Sequence, residues 1–342
     1  MAFKKLRELQ TPEELIAEMP LPAAHFPLKQ QRDREFESIL AGNDNRFIVI
    51  IGPCSAHNED AVVDYCCRLA KLQEQTREVL FLVPRIYTNK PRTMGTGYKG
   101  MAHQPDPSGE PDIVEGIKAI RKMHLRVIAQ SGFTGADEML YPSNFTYLGD
   151  LLNYVAIGAR SSENQQHRLT ASGIGLPAGF KNPISGDIRV MLNSIHAAQQ
   201  PHIFAYNGWE VETEGNPYAH AILRGAIDKL GNTIPNYHFE DLTDIITKYE
   251  QMGLANPAII IDTNHSNSAR LFSEQPRIAH EIMHSRSYSP LIKKTVKGLM
   301  IESYIVEGSQ SVTGAVYGQS ITDPCISWET TERLLLDLAE KV

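Results

Sequence analysis

The chain has little of what marks a secreted or membrane-bound protein. Only four cysteines are scattered over 342 residues, too few for a disulfide framework. The adjacent pair Cys66-Cys67 falls in a segment of helical pattern and reads as small buried apolar residues. No window approaches the roughly eighteen consecutive apolar residues of a membrane span, and the opening Met-Ala-Phe-Lys-Lys-Leu-Arg lacks the apolar core of a secretory signal. These absences predict a soluble, cytoplasmic protein with no membrane partner. There is no basic excess either: the formal net charge is -7 and no basic stripe runs along any segment, which argues against nucleic acid as a partner. Internal repeats, low-complexity tracts and linkers long enough to divide the chain are also missing.

What is present is a rhythm. Short apolar or β-branched runs recur at residues 47–51, 79–83, 134–139, 154–158, 176–180, 202–206, 258–261 and 297–301. Between most of them lie segments of helical period, such as the one that puts Ile113, Ile117 and Ile120 on one face. Strand alternating with helix implies a parallel sheet. Strands that are apolar throughout must be covered on both faces, and eight repeats favour an α/β fold of the (β/α)8 TIM-barrel type. Residues 1–44 precede the first run, carry a helical stretch around 29–41, and read as an N-terminal extension with an oligomer-contact or regulatory role. Residues 45–342 then form the catalytic barrel. Residues 207–221 follow the sixth run and alternate around Trp209-Glu210-Val211-Glu212, which predicts a hairpin inserted into a βα loop after strand six.

In such a barrel, chemistry gathers where strands end at their C-terminal side. After the runs come Gly52-Pro53-Cys54-Ser55, Arg85 with Lys90-Pro91-Arg92-Thr93, Asp137-Glu138, Ala159-Arg160, Lys181-Asn182, Arg224-Gly225, Asp262-Thr263-Asn264-His265 and Glu302-Ser303-Tyr304, with Asp323 beyond. One set is cationic: Arg85, Lys90, Arg92, Arg160, Lys181 and Arg224. Converging on one mouth, these would repel one another unless the ligands carried several negative charges, and guanidinium forks suit phosphate and carboxylate. The other set, Cys54, His265, Glu302 and Asp323, has the make-up of a divalent metal site, its mixed softness arguing against calcium or magnesium. Each residue alone has a plainer reading: a core cysteine, a loop-capping histidine, a structural ion pair. Their coincidence at one end of different strands favours the site. Asp137 and Glu138 read as carboxylates that orient the nearby cations.

Taken together, Gly52-Pro53-Cys54-Ser55, Lys90-Pro91-Arg92-Thr93, Gly158-Ala159-Arg160, Gly179-Phe180-Lys181-Asn182, Leu223-Arg224-Gly225, Asp262-Thr263-Asn264-His265, Ile301-Glu302-Ser303 and Ser320-Ile321-Thr322-Asp323 resemble the type I 3-deoxy-D-arabino-heptulosonate 7-phosphate (DAHP) synthases, in order, from about Leu6 onward. The resemblance implies condensation of phosphoenolpyruvate with erythrose 4-phosphate and water, the first step of the shikimate pathway. It implies one divalent ion (Mn, Fe, Co or Zn) on Cys54, His265, Glu302 and Asp323. By the same resemblance Arg160 and Arg224 hold the phosphoenolpyruvate phosphate, Arg85 and Lys181 its carboxylate, and Lys90, Arg92 and Thr93 erythrose 4-phosphate. Lys90 is the candidate proton donor, while the base for water stays open among His265, Glu138 and the substrate phosphate. A homodimer or homotetramer is implied as well. Around Tyr141 to Phe145 and Ala205-Tyr206, where feedback-inhibited members bind an aromatic amino acid, this chain carries bulky residues. Two rival readings are a 3-deoxy-octulosonate 8-phosphate synthase, whose members carry Lys-Ala-Asn-Arg-Ser in place of Lys90-Pro91-Arg92-Thr93, and a non-catalytic regulatory relative, which would lack ligands that are all present here.

Overall fold

Strands that bury both faces need cover inside and out, and the computed structural model, which describes residues 2–92 and 95–342, provides both. Eight parallel strands form one sheet: β1 Phe47–Gly52, β2 Leu80–Pro84, β3 Gly135–Glu138, β4 Leu152–Ile157, β5 Ala178–Lys181, β6 Ala219–Leu223, β7 Ile259–Asp262 and β8 Val296–Glu302. In space they follow the order β2, β1, β8, β7, β6, β5, β4, β3. The ring closes just past β2, where Arg85 bridges Ala136 and the Ile86 N–H donates to the Ala136 carbonyl at 2.8 Å.

Helices α1 Pro12–Glu18 and α2 Phe26–Ala41 precede the barrel. Around it run α3 Glu59–Thr76, α4 Ile113–Ser131, α5 Gln165–Ala171, α6 Ile188–Ala198, α7 Phe239–Gln251, α8 Gln275–Tyr288, α9 Pro290–Thr295 and α10 Trp328–Ala339. Only a 3-10 turn, Pro142–Tyr147, joins β3 to β4. Successive residues of β1 divide between two cores. Ile48 and Ile50 belong to the barrel lumen with Phe81, Val83, Ile222 and Met300, whereas Phe47, Val49 and Ile51 pack with the surrounding helices. That is the physical content of an unalternating apolar strand.

The N-terminal extension packs on its own barrel. Phe36 of α2 stacks on Tyr154 at 5.2 Å between centroids and meets Phe81 edge-on at 5.7 Å. With Ile39 and Leu40 it joins the lumen cluster, so α2 plugs the end from which the strands start. Helix α1 went unread in the sequence although Thr11-Pro12-Glu13-Glu14 carries its signal. Thr11 caps the helix, Glu14 returns a bond to the Thr11 N–H at 2.9 Å, and proline takes the first turn.

The hairpin exists, but one step earlier than expected. Residues 202–206 are not a barrel strand: His202–Tyr206 pairs antiparallel with Trp209–Thr213 around Asn207-Gly208, both at positive φ (47° and 85°). The sixth barrel strand is Ala219–Leu223, and the hairpin is inserted before it, in the connection from α6, not in a βα loop after it. An Asn-Gly pair between two alternating runs is a strong hairpin signal. The alanine-rich Ala219–Leu223 is a weak strand pattern, and the bulkier run upstream outcompeted it.

Candidate active site

All eight strands deliver their ends to one mouth, and a cavity of about 280 Å3 opens there. Of the residues expected on chemical grounds, Arg85, Lys90, Arg92, Glu138, Arg160, Lys181, Arg224, His265, Glu302 and Asp323 line it. Cys54 lies beneath, fully buried, 2.9 Å from the Lys90 amine. Thr93 lies outside the described residues.

Three of the four expected metal ligands come together. Ligand atoms of Cys54, Glu302 and Asp323 lie within 4.8 Å of one another, although Cys54 and Asp323 are 269 residues apart in sequence. A thiol and two carboxylates at that spacing suit a first-row divalent ion, whose bonds to sulfur and oxygen run about 2.0–2.3 Å. Burial, with the Glu302 carboxylate beside it, pushes the Cys54 thiol up to about 11 despite the Lys90 ammonium; binding to a metal would displace its proton. His265 stands at the same mouth but outside that trio. Its Nδ1 is 2.8 Å from Asp262 Oδ2. A carboxylate at Nδ1 is the common companion of a histidine that ligates through Nε2.

Pairing decides which cations remain for ligands. The Arg85 guanidinium, 1% exposed, lies 2.9 Å from Glu302 Oε1, donates to the Pro53 carbonyl, and sits over the Tyr87 ring at 3.7 Å. Burial would lower its pKa, but Glu302 and its neighbours raise it further. Lys181 Nζ lies 3.1 Å from Asp262 Oδ2. Burial pushes Asp262 up, and His265, Lys181 and Arg224 together outweigh this and hold it well below the usual carboxylate range. Lys90 donates to the Cys54 carbonyl at 2.6 Å. Arg92, Arg160 and Arg224 have no carboxylate within ion-pair distance among the described residues, and burial lowers Arg224, with Arg160 and Arg270 adding to the effect. Seven cations and three carboxylates line the cavity.

Some supporting roles, and the residues Gln275 and Arg270, escaped the sequence reading. Asp262 anchors both Lys181 and His265. Asn264 donates to Glu302 Oε2 at 2.6 Å, and Gln275 bonds the Glu302 backbone at both N–H and carbonyl. Asn182 accepts from the Arg224 N–H at 2.9 Å. Arg270, the seventh cation, had no signal at all. It reaches the mouth because His265, Ala269 and Arg270 adopt left-handed φ of 52°, 51° and 63°, closing a turn in which the Arg270 N–H donates to the His265 carbonyl at 2.7 Å.

The expectation that Asp137 orients cations is corrected. Its carboxylate accepts from the Thr88 N–H at 2.9 Å, from the Thr88 hydroxyl, and from the Glu138 N–H at 2.7 Å. It thereby fixes the root of the loop that carries Lys90 and Arg92. Burial pushes it up to about 7, against the hydrogen bonds from Thr88. Glu138 does face the cavity, and it lies so close over Gly158 that a Cβ there would stand 2.2 Å from Oε1. In the region of bulky residues flagged above, the Tyr206 hydroxyl donates to the Pro142 carbonyl at 2.7 Å, tying the hairpin to the 3-10 turn.

Comparison with known proteins points one way. The sequence profile of the DAHP synthetase I family matches residues 25–336. The Tyr-sensitive phospho-2-dehydro-3-deoxyheptonate aldolase of Salmonella typhimurium is 38% identical over 339 residues, covering 96% of this chain and 92% of its own. The Phe-sensitive aldolase of Escherichia coli is 36% identical, covering 100% and 97%. A solved phospho-2-dehydro-3-deoxyheptonate aldolase from Francisella tularensis superposes with a TM-score of 0.92 at 32% identity, covering 99% and 98%.

Proposed function

The chain belongs to the DAHP synthetase I family, and on that premise we propose how its mouth carries out the reaction. The activity is DAHP synthesis, the first step of aromatic biosynthesis: phosphoenolpyruvate, erythrose 4-phosphate and water give the seven-carbon phosphate and inorganic phosphate. Arg160 and Arg224, free of carboxylate partners among the described residues, hold the phosphoenolpyruvate phosphate. Arg85 and Lys181, each already anchored by one carboxylate, present rigid donors to its carboxylate. Lys90 and Arg92, on the loop rooted by Asp137, lie along erythrose 4-phosphate, and Thr93 belongs to the same stretch.

Carbon 3 of the enol ether attacks the aldehyde, whose oxygen gains negative charge. A divalent ion held by Cys54, Glu302, Asp323 and His265 would supply Lewis-acid stabilisation of that charge. Lys90 supplies a proton: burial lowers its pKa, but Cys54 and the carboxylates raise it above its ordinary value, so the amine stays charged. Carbon 2, left electron-poor, takes up water, and the hemiketal phosphate then expels phosphate between Arg160 and Arg224.

One observation carries this reading. Guanidiniums without carboxylate partners among the described residues line the same cavity as Glu302 and Asp323, with the Cys54 thiol directly beneath. Phosphoenolpyruvate consumption is the test: turnover is expected with erythrose 4-phosphate, and turnover with arabinose 5-phosphate alone would overturn the sugar assignment. Exhaustive chelation should abolish the rate and manganese should restore it; an unchanged rate in chelator removes the metal. The protein assembles as a homodimer or homotetramer, a reading supported by exposed apolar residues at Phe3 and Leu6 in the extension and at Ile203 and Trp209 on the hairpin.

A further inference from the structure

Opposite the mouth, where the strands begin, a second cavity of about 500 Å3 opens beside the end of α2, α9 and the first residues of β8. Its composition is unusual for a place where no chemistry has been assigned. Arg286, at the end of α8, is only 6% exposed, with its guanidinium 4.1 Å from the centroid of the Phe47 ring. Its Nε has no hydrogen-bond partner, and its other contact is the soft Met283 sulfur at 3.8 Å. Lys297 brings its Nζ to 3.7 Å from where a Cβ on Gly42 would stand, and Lys294 lines the same cavity.

The nearby carboxylates do not neutralise this group. Asp44 is engaged by Arg46 at 2.7 Å. Glu250 lies among the lining residues without an ion pair, and among the described residues no carboxylate comes within ion-pair distance of Arg286, Lys294 or Lys297. Burial pushes Arg286 down to about 10, and burial together with Arg286 and Lys294 lowers Lys297. Arg286, Lys293, Lys294 and Lys297 therefore crowd one concavity, the first of them desolvated, and neither Asp44 nor Glu250 comes within ion-pair distance to offset the cost.

We propose that this cavity is a second anion-binding site, taking a small phosphorylated or polycarboxylate molecule on Arg286, Lys294 and Lys297. It is separate from the reaction site by a strand's length, roughly 20 Å. An occupant would contact the plug helix α2 and the start of β8, the strand whose other end carries Glu302.

Calorimetric titration of the full chain tests this, using Arg160→Ala/Arg224→Ala as background so that the mouth contributes little. Pyrophosphate and citrate serve as probes for the two anion classes, and the tighter of them identifies the chemistry. The background chain should bind at least one of them at a single site. Adding Lys294→Gln/Lys297→Gln should weaken binding at least ten-fold. Arg286→Met should abolish it while melting no lower than the background in probe-free buffer, since an unpaired charge has been replaced by an apolar side chain of similar length. Binding that is indifferent to the two lysines, or no binding of either probe at tens of millimolar, overturns the proposal. So does a change of oligomeric state on sizing chromatography when the lysines are neutralised, because a second copy of the chain would then be what covers the cavity.

Discussion

Glu302 has two roles that can be separated. Its carboxylate neutralises the buried Arg85 at 2.9 Å and also contributes to the cluster with Cys54 and Asp323. Asp323 shares the second role only: its residue is largely exposed, and although partial burial raises its carboxyl, Lys90, His265 and the Cys54 thiol hold it below its ordinary value. Glu302→Gln should therefore lose bound metal and also stability, by about 3–5 kcal/mol, because Arg85 is left as an uncompensated buried charge. Asp323→Asn should lose metal with a smaller loss of stability in chelator, about 1 kcal/mol, as for an exposed carboxylate beside a cation. Metal content and urea unfolding, measured side by side in chelator, separate the two; equal destabilisation would refute the division. Most of the individual ligands and cations were legible in the sequence because they lie at or shortly after the end of an apolar run, as Cys54, Arg85, Arg160, Lys181, His265 and Glu302 do. Which carboxylate answers which cation was not, since Arg85–Glu302 and Lys181–Asp262 are partners 217 and 81 residues apart.

At the scale of elements, two glycines at or beside strands do different work. Gly158, just after β4, leaves room for the Glu138 carboxylate, whereas Gly179 within β5 leaves lumen space to Tyr154, whose hydroxyl would lie 1.9 Å from a Cβ there. Gly158→Ala must displace Glu138 beside Arg160, so kcat/KM should fall by about ten-fold or more, as misplacement near reacting groups does, while the melting temperature changes little. Gly179→Ala overpacks the lumen and should cost about 1–3 kcal/mol, seen as a lower melting temperature. A Gly158→Ala chain with full activity would remove Glu138 from the functional part of the mouth. The hairpin shows why elements were less legible than motifs. Residues 202–206 have a better strand pattern than Ala219–Leu223, yet the latter enters the barrel, because its place between β5 and β7 is set by hydrogen-bonding neighbours that local pattern does not encode.

For the whole molecule, burial of neutral histidines sets an acid limit. Burial pushes both His124 and His220 down to about 4, with Arg121 adding to the effect at His124 and the Tyr218 carbonyl opposing it at His220. In the unfolded chain each would titrate near 6.5. Between those values the unfolded state binds more protons, so stability rises with pH there and is lost as pH falls from about 6.5 toward 4. Each histidine should forfeit on the order of 2 kcal/mol by pH 5 relative to pH 8. Urea midpoints at the two pH values test this. His124→Phe, which removes a ring with no hydrogen-bond partner at either nitrogen, should shrink the difference, and an unchanged difference would exclude His124.

The sequence by itself determined the barrel and the chemistry of its mouth. Strands apolar on both faces admit few architectures, and a residue just past such a strand has its position set by its immediate neighbours. Only the tertiary structure decided how charge is distributed. Closure of the ring paired Arg85 and Lys181 with carboxylates from distant strands and left Arg92, Arg160 and Arg224 for anionic ligands. The turn after β7 added Arg270, and docking of α2 and α9 around the barrel's other end gathered Arg286, Lys294 and Lys297. Electrostatic partnership depends on distance through space and on burial, and neither is written in the order of residues along the chain.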